Sequence, residues 1–383
     1  MKREYKRNIF RLITMLSVAA VSILIVFGYF TYRVYKEPFE RIPLRIDGDF
    51  AIMQDDEIGF IHVPNGHYYR HNDRSKIEYN VFTDHRSARV AQKGDKSLHN
   101  PDIMIVGGSY AMGHGLEYED TIGAFLEEKL DISVVNLSML AYGTVQCYQM
   151  MLRNMDLKPK MILYITIADH IRRNLDPCAS QASHYCLPMS YIDFKDGKPF
   201  IHLPLLNQFS TDENRVFFRQ VIMRNKGNFW LDLWWRMRID LKNIRRSDEY
   251  KTRTDHESKQ KSINFLIREM AKTAWKANIP FMVIHIPYIG DANYAEPELV
   301  YAIQESNNSG FPVIFLDSTP LFENYYKTSD QSLWVTSYDG HPNAKANHMV
   351  CEFIIDAIRN HRLLDTEKPT IQPPDSHSDV IMK

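Results

Sequence analysis

Compact apolar runs alternate with amphipathic stretches from residue 100 to the last predicted helix. Five runs have the length and composition of buried strands: Ile103–Val106, Val134–Asn136, Met161–Ile167, Phe281–Ile286 and Val313–Asp317. Four stretches carry apolar residues at helical spacing: Thr121–Leu130, Val145–Met155, Ile263–Ala277 and Ala344–Ile358. Uninterrupted apolar strands that alternate with helices are typical of a parallel sheet covered on both faces. The pattern predicts an α/β fold, a three-layer α/β/α sandwich around a five-stranded, mainly parallel (flavodoxin-like) sheet.

Short polar side chains mark where three of these helices are predicted to begin: Asp120, Ser262 and Asn343. Such side chains accept hydrogen bonds from the free N–H groups of the first helical turn. Asn343 follows Pro342, and a proline disfavours helical backbone at the residue before it. We therefore expect His341 to lie in an extended segment directly ahead of the last helix.

The N-terminal segment has a different pattern from the rest of the chain. Residues 1–11 carry five basic groups and one acid, and Leu12–Tyr32 then runs for 21 residues without a charge. Such a run is long enough to cross a bilayer as a helix. Because basic residues are denser before the run, the positive-inside rule predicts a single-pass protein with a cytoplasmic N-terminus and the remainder periplasmic or extracellular. A cleaved signal peptide is the alternative, but the run exceeds a usual h-region and no Ala-x-Ala follows it.

Composition divides the remainder into three predicted parts. Residues 37–98 alternate extended, aromatic-rich runs with turn residues and are predicted to form a small β-rich segment. Residues 99–363 form the main domain, with an insertion at about 170–260 between its third and fourth strands. Residues 364–383 are rich in proline and polar residues and are predicted to be disordered.

The insertion contains two recognisable features. A hairpin is predicted over Tyr191–Ile201, with Asp196–Gly197 at its turn. The later run Asn228–Arg246 contains three of the five tryptophans of the chain. This run is either a cap helix that packs its rings on the core or a platform that faces a sugar or a membrane, since tryptophan suits both.

Net charge and cysteine content indicate whether the chain binds nucleic acid, forms a disulfide or holds a metal. The net charge of −1 gives no reason to expect a nucleic-acid partner. Cys178 and Cys186 lie eight residues apart in a polar loop, a spacing that predicts a local disulfide in an exported domain. Cys147 and Cys351 lie in predicted helices and are expected to be buried as small apolar residues. The sequence has no CxxC motif or His/Cys cluster, so neither a metal nor a cofactor is predicted.

Two segments far apart in the chain hold residues suited to nucleophilic catalysis. Ser109 follows the first predicted strand in a glycine-rich turn, and Asp339 precedes His341 by two residues after the fifth strand. The carboxyl ends of parallel strands meet at one edge of a sheet, so these residues are predicted to converge there. Histidine can take a proton near neutral pH, and a nearby acid can hold its tautomer.

These segments resemble the SGNH (GDSL-type) hydrolases. The resemblance is carried by Gly107–Gly108–Ser109, by Asn136-x-Ser-x-x-Ala-x-Gly143 and by Asp339-Gly-His341-Pro-Asn. It covers about residues 100–362 and is strongest to the membrane-anchored, envelope-associated branch that deacetylates or acetylates glycans. It implies a Ser-His-Asp mechanism and no cofactor.

The resemblance also implies a role at each matching position. Ser109 would be the nucleophile, His341 the general base and Asp339 the residue that orients and stabilises the imidazolium. The backbone N–H groups of Ser109 and Ala141 would stabilise the oxyanion, and Gly143 would belong to the same oxyanion-hole loop.

The chain departs from the family pattern at two places. Gly108 stands where the family has aspartate, and Ala168–Asp169–His170 stands where an oxyanion asparagine is expected. Asn174 is a weaker substitute because it lies several residues later. Asp169 and His170 are predicted to line the cleft, and His114 is predicted to be structural.

The leading hypothesis is a serine esterase that removes O-acyl groups, acetyl above all, from an envelope glycan or a related small ester. The alternative with the same residues is a glycan O-acyltransferase, which would need a membrane partner to deliver the acyl donor. An α/β-hydrolase fits less well, since Asp339 and His341 are two residues apart and in that fold the acid and base come from separate loops. A non-catalytic glycan-binding or scaffold protein is the remaining alternative.

Overall fold

The computed structural model describes residues 2–36, 45–48, 52–72, 76–96, 99–179, 187–204, 255–288, 295–337 and 339–364. Cys186, the tryptophan-rich run 228–246 and all but the first residue of the tail 364–383 lie outside these ranges, and so do the predictions made for them. The chain separates into two units, Met1–Pro43 with Arg215–Asp248, and Leu44–Asn214 with Glu249–Lys383.

The described part of the first unit is helix α1, Lys2–Lys36. Its segment Tyr5–Tyr29 has a mean hydropathy of 2.4 and is long and apolar enough to cross a membrane. Large apolar side chains along it, such as Leu16 and Ile23, are exposed. A signal sequence has the same properties near an N-terminus, so length and composition agree with both interpretations of this segment.

The second unit contains, among its described residues, one nine-stranded sheet and four two-stranded sheets. Its strands are β1 (Arg45–Gly48), β2 (Ile52–Asp55), β3 (Gly59–His62), β4 (His67–Asn72), β5 (Ile77–Thr83), β6 (Arg89–Val90), β7 (Ile103–Gly107), β8 (Val134–Asn136), β9 (Met161–Thr166), β10 (Cys178–Ala179), β11 (Leu187–Pro188), β12 (Tyr191–Lys195), β13 (Lys198–His202), β14 (Phe281–His285), β15 (Ile314–Asp317), β16 (Trp334–Thr336) and β17 (Asp339–Pro342). Its helices are α2 (Ser109–Met112), α3 (Ile122–Leu130), α4 (Thr144–Arg153), α5 (Asp169–Arg173), α6 (His256–Lys276), α7 (Pro297–Asn308), α8 (Thr319–Thr328) and α9 (Ala344–His361), with 3₁₀ turns at Tyr118–Asp120 and Met155–Leu157.

The predicted parallel sheet is confirmed. Strands β8, β7, β9, β14 and β15 lie side by side in that order, and each neighbouring pair is parallel. The order of these five strands along the chain is 2-1-3-4-5, which is the flavodoxin-like order. Their carboxyl ends therefore lie at one edge, where β7 leads directly into Ser109.

The β-rich segment extends the same sheet to nine strands. Strands β1, β4, β5 and β6 pair antiparallel in that order, and β6 joins β8 through the single residue pair Arg89 and Asn136. Side chains from the antiparallel strands can thus reach the first turn after β7.

Each face of the parallel sheet is covered by helices. On β7, Met104 and Val106 pack in the core beneath α4, α6 and α7, whereas Ile103 and Ile105 pack in the core beneath α3 and α9. The alternation follows from the period of two along a strand. It gives the three layers that the apolar pattern predicts.

The helix starts agree with the prediction in one case of three. The Asn343 side chain accepts a hydrogen bond from the Ala346 N–H at 3.0 Å, as expected. The predictions of Asp120 and Ser262 are wrong, because Thr121 caps α3 and Asp255 caps α6. Helix α6 begins at His256, about two turns ahead of Ile263, the first apolar residue of its pattern, so its polar first turns carried no periodic signal.

The predicted hairpin is confirmed in the insertion. Strands β12 and β13 pair antiparallel, with Asp196 and Gly197 between them. Both turn residues have positive φ, 52° and 73°, as a two-residue turn of type I′ requires. Cys147 and Cys351 are buried free cysteines in α4 and α9, as predicted.

Candidate active site

Ser109 and His341 meet at the carboxyl edge of the sheet. Ser109 is the first residue of α2, directly after β7 and Gly108. His341 lies in β17, an extended segment ahead of the last helix, as the following proline predicts. Its Nε2 lies 2.8 Å from Ser109 Oγ, which is hydrogen-bonding distance.

Asp339 completes the array on the other side of the imidazole. Its Oδ1 is hydrogen bonded to His341 Nδ1 and also accepts the His341 backbone N–H at 3.1 Å. Partial burial alone would raise the pKa of Asp339, but the hydrogen bonds from His114 and His341 outweigh it and hold the pKa well below its usual range. We refer to Ser109, His341 and Asp339 as the triad.

Two polar residues of the central sheet hold the turn that carries Ser109. Asn136 Nδ2 donates to the Ala111 carbonyl at 2.8 Å. The buried Arg89 guanidinium donates to the carbonyls of Met112 and Gly113 at 2.7 and 2.8 Å, and also to Leu116. Asn136 and Arg89 are also the residue pair that joins β6 to β8. The junction between the antiparallel and the parallel part of the sheet therefore also fixes the turn that carries Ser109.

His114 contacts the triad from this turn. Its Nε2 lies 3.2 Å from Asp339 Oδ2, the carboxylate oxygen that His341 does not use. Its Nδ1 lies 3.0 Å from the Tyr79 hydroxyl and 3.3 Å from Arg70 Nη1. Sequence reasoning assigned His114 no contact with the triad. Its place five residues after the serine, between two glycines of positive φ, was the available signal.

Of the residues predicted for the oxyanion hole, Ala141 has a backbone conformation that fits the motif, whereas Gly143 and Asn174 form hydrogen bonds at the start of helix α4. Ala141 has φ +64°, the left-handed conformation that favours glycine, which fits its place in the motif. The Gly143 N–H donates to Gln146 Oε1 at 3.0 Å, and the Asn174 side chain accepts from the Val145 N–H and donates to the Thr144 hydroxyl, both at 3.2 Å. Gly143 and Asn174 are thus occupied in starting helix α4.

After β9, the prediction that His170 lines the cleft is wrong. His170 is fully buried, with Nδ1 2.9 Å from the Tyr164 hydroxyl, and does not line an open cleft. A Cβ placed on Gly108 would lie 2.5 Å from His170 Nε2. The departures from the family pattern at Gly108 and at His170 are therefore linked, because the ring of His170 occupies the space that a side chain at position 108 would need.

An aromatic rim adjoins the imidazole of the triad. The Tyr110 hydroxyl donates to the Gly340 carbonyl at 3.1 Å, and its ring meets that of His341 edge-on at 5.3 Å between centroids. Tyr288, 40% exposed, packs against Tyr110. Burial, together with a hydrogen bond to Asp169, raises the pKa of Tyr288 to about 12. Asp169 also pairs with Arg173 at 3.1 Å.

The same groups have the composition of a metal site. His114, Asp339 and His341 offer ligand atoms within 4.8 Å of one another. In this structure those atoms hydrogen bond to each other and to Ser109, which accounts for their proximity. That the site needs no metal stays a prediction.

Comparisons with known proteins find similar solved structures at low sequence identity. Neither a protein-family model nor a curated protein matches the chain. An acetyl xylan esterase from the rumen bacterium Butyrivibrio proteoclasticus is 11% identical over 72% of this chain and 67% of its own, with a TM-score of 0.35. A protein assigned to the G-D-S-L family of lipolytic proteins, from Desulfitobacterium hafniense DCB-2, is 12% identical over 67% of this chain and 98% of its own, with a TM-score of 0.34. A carbohydrate esterase is 9% identical over 84% of this chain and 87% of its own, with a TM-score of 0.35. At these scores the likenesses carry no inference about substrate, and the function is inferred from the site.

Acidification is expected to destabilise the native state through buried histidines. Burial lowers the pKa of His114 to about 3 and that of His170 well below its usual value. An unfolded histidine titrates near 6.5, so below that pH the unfolded chain binds protons that the native state excludes, and stability falls as pH decreases. Each such group contributes a slope of up to about 1.4 kcal/mol per pH unit.

We therefore expect the thermal unfolding midpoint of the full-length protein in detergent to fall by several degrees between about pH 7 and about pH 5. His170→Gln removes one of the two groups and is expected to flatten this dependence. A midpoint that does not change over this interval would contradict the neutral state of both histidines.

Proposed function

We propose that the protein is a membrane-anchored serine esterase that removes O-acyl groups, acetyl above all, from a glycan or a related ester. The observation that carries the proposal is the continuous hydrogen bonding from Ser109 Oγ through the His341 ring to the Asp339 carboxylate. A serine hydroxyl becomes a competent nucleophile when an adjacent base takes its proton. The resemblance to SGNH hydrolases supports the same assignment.

In the first half-reaction Ser109 Oγ attacks the ester carbonyl carbon while His341 Nε2 takes the hydroxyl proton. The imidazolium that forms is stabilised by Asp339, whose low pKa keeps the carboxylate charged. When the tetrahedral intermediate collapses, the carbon–oxygen bond to the alcohol breaks, and His341 returns the proton to the leaving oxygen. The acyl group remains on Ser109.

In the second half-reaction water takes the place of the alcohol. His341 removes a proton from the water as it attacks the acyl carbon, and then protonates Ser109 Oγ as that oxygen leaves. A carboxylic acid is released and the free enzyme is restored. We assign stabilisation of the oxyanion to the backbone N–H groups of Ser109 and Ala141, because Gly143 and Asn174 are occupied elsewhere. The Ser109 N–H belongs to the first turn of α2, where no preceding helical carbonyl is available to accept it.

We also propose that the N-terminal helix anchors the protein in the membrane and that the N-terminus is cytoplasmic. The segment Tyr5–Tyr29 would hold the protein in the membrane, and the basic residues ahead of it favour a cytoplasmic N-terminus. The catalytic unit would then face the periplasm or the exterior, where envelope glycans are accessible. The exposed ring of Tyr288, which packs on Tyr110 beside the triad, suits the apolar face of a sugar ring.

A fluorophosphonate probe tests the proposal directly. It is expected to label full-length protein on Ser109, identified by peptide mass, and to leave folded Ser109→Ala unlabelled. Aryl acetate hydrolysis is expected to depend on Ser109 and not on an added oligosaccharide. A membrane-impermeant form of the probe is expected to label Ser109 in cells whose outer layer has been permeabilised while the inner membrane stays intact.

Other results of these experiments would contradict the esterase activity, the catalytic role or the topology. Transfer of acetyl to the oligosaccharide would identify an acyltransferase instead. Neither labelling nor Ser109-dependent hydrolysis by folded protein would contradict catalysis and favour a binding role. Protection of Ser109 from the impermeant probe in such permeabilised cells, with labelling after full lysis, would contradict the proposed topology.

A further inference from the structure

The hydrogen bonding of the triad does not end at Asp339. His341 uses Oδ1 of the carboxylate, and His114 Nε2 lies 3.2 Å from Oδ2. The two imidazole rings lie with their centroids 4.2 Å apart. His114 is buried, with 8% of its surface exposed, and the proposed mechanism does not use it. The carboxylate is thus held between two imidazoles, one at each oxygen.

The far side of the His114 ring determines which nitrogen carries its proton. Arg70 Nη1 lies 3.3 Å from His114 Nδ1, and a guanidinium can only donate hydrogen bonds. The Tyr79 hydroxyl accepts from Arg70 Nη1 at 3.2 Å and lies 3.0 Å from the same Nδ1, to which it can donate. Arg70 therefore requires Nδ1 to accept, and the Tyr79 hydroxyl can donate to the same nitrogen. A neutral His114 must then carry its one proton on Nε2, facing Asp339.

Charge and burial favour this neutral form. Burial lowers the pKa of His114 to about 3, and the positive charges of Arg70 and His341 act in the same direction. A neutral donor orients the carboxylate without cancelling its charge. Asp339 can therefore still stabilise a positive charge on His341 during the reaction.

We propose that His114 is a positioning residue of the active site, held in one tautomer by Arg70 and Tyr79, and that it aims the Asp339 carboxylate at His341. The inference rests on the proposed esterase function. Arg70 lies on β4 and Tyr79 on β5, so the antiparallel half of the sheet acts on the triad through His114.

The backbone around His114 is fixed by other residues, so its side chain can be varied. Gly113 and Gly115 have φ of 82° and 83°, and Arg89 Nη1 donates to the Gly113 carbonyl at 2.8 Å. None of these contacts involves the imidazole. His114→Phe keeps a ring of similar size and removes both nitrogens, and His114→Gln restores an N–H donor and an oxygen acceptor.

The test measures kcat and KM for aryl acetate hydrolysis by the full-length protein. His114→Phe is expected to lower kcat by about 10- to 100-fold, the effect of losing one hydrogen bond to a charged group. KM is expected to stay within about twofold, because the ring is buried and hydrogen bonds to Asp339. His114→Gln is expected to recover most of the lost kcat.

His67→Phe is the matched control. His67 is a half-buried histidine on β4 whose ring stacks on Phe82 at 4.3 Å, away from the triad, and its replacement is expected to leave kcat unchanged. A kcat for His114→Phe within about threefold of an active wild type would overturn the positioning role. So would equal losses in the Phe and Gln variants, or a loss that follows a lowered unfolding midpoint. Absence of Ser109-dependent turnover in the wild type would instead overturn the proposed esterase function.

Discussion

Replacement of Asp339 by asparagine is expected to lower Ser109-dependent ester hydrolysis by about 10⁴-fold at neutral pH while the protein stays folded. The Asp339 carboxylate accepts hydrogen bonds on both oxygens, from His341 and from His114. Asparagine offers one oxygen and one NH₂ group, so one of the two histidines must face a donor. That histidine has to accept a hydrogen bond and therefore to carry its proton on its other nitrogen.

The surroundings of His114 decide which histidine changes. If the NH₂ group faced His114, the ring proton would move to Nδ1 and point at Arg70 Nη1, which itself only donates. The NH₂ group is therefore expected to face His341 Nδ1, although this orientation also loses the hydrogen bond that the His341 backbone N–H donates to Asp339 Oδ1. The proton of His341 then lies on Nε2, and this nitrogen can no longer take the proton of Ser109.

The control variant changes an aspartate outside the triad. Asp102→Asn alters a half-buried aspartate at the other end of β7, where it binds Lys160 and the Ser133 hydroxyl, and is expected to leave kcat unchanged. In an Arg70→Met background His114 is free to change tautomer, so Asp339→Asn is expected to cost at least about tenfold less than in wild type. A loss below about tenfold in the wild-type background would contradict the role of the Asp339 carboxylate.

The parallel sheet and the triad could be predicted because each depends on local patterns. Five strands are visible as short apolar runs, and the residues after them meet at one edge because the strands are parallel. Ser109 and His341 each follow from a few neighbouring residues, such as Pro342 and the Asn343 cap. The positive φ of Ala141 likewise agrees with its place in a motif.

The contacts around the triad could not be predicted, because they depend on pairing between distant segments. Strand β6 has only two residues, too few for a periodic signal, and yet it joins the two half-sheets and brings Arg70 and Tyr79 to His114. Helices α7 and α8 were missed as well, although each has a proline in its first turn, which is a signal for a helix start. The hydrogen bond from the Val145 N–H to the Asn174 side chain at the start of α4 also arises only from packing between separate elements.

Gly108→Ala is expected to lower esterase activity by about 10²-fold, because the added methyl group has no space and displaces the neighbouring nucleophile. The φ of Gly108 is −92°, which any residue can adopt, so the backbone conformation is not the obstacle. The obstacle is His170 Nε2, 2.5 Å from the new Cβ. The ring has little freedom to move, since it is buried and its Nδ1 is hydrogen bonded to the Tyr164 hydroxyl. Overpacking of this kind also costs about 1–3 kcal/mol of stability.

The coupling between the two positions distinguishes this steric cause from a general effect of losing a glycine. In Gly108→Ala/His170→Ala the second substitution removes the atoms that the first one strikes, so the double variant is expected to be more active than Gly108→Ala alone. Gly123→Ala is the matched control, because its new Cβ would meet nothing nearer than 3.6 Å and it lies in helix α3, where alanine is favoured. Wild-type activity in Gly108→Ala, or a double variant no better than that single one, would show that His170 does not determine why position 108 is a glycine.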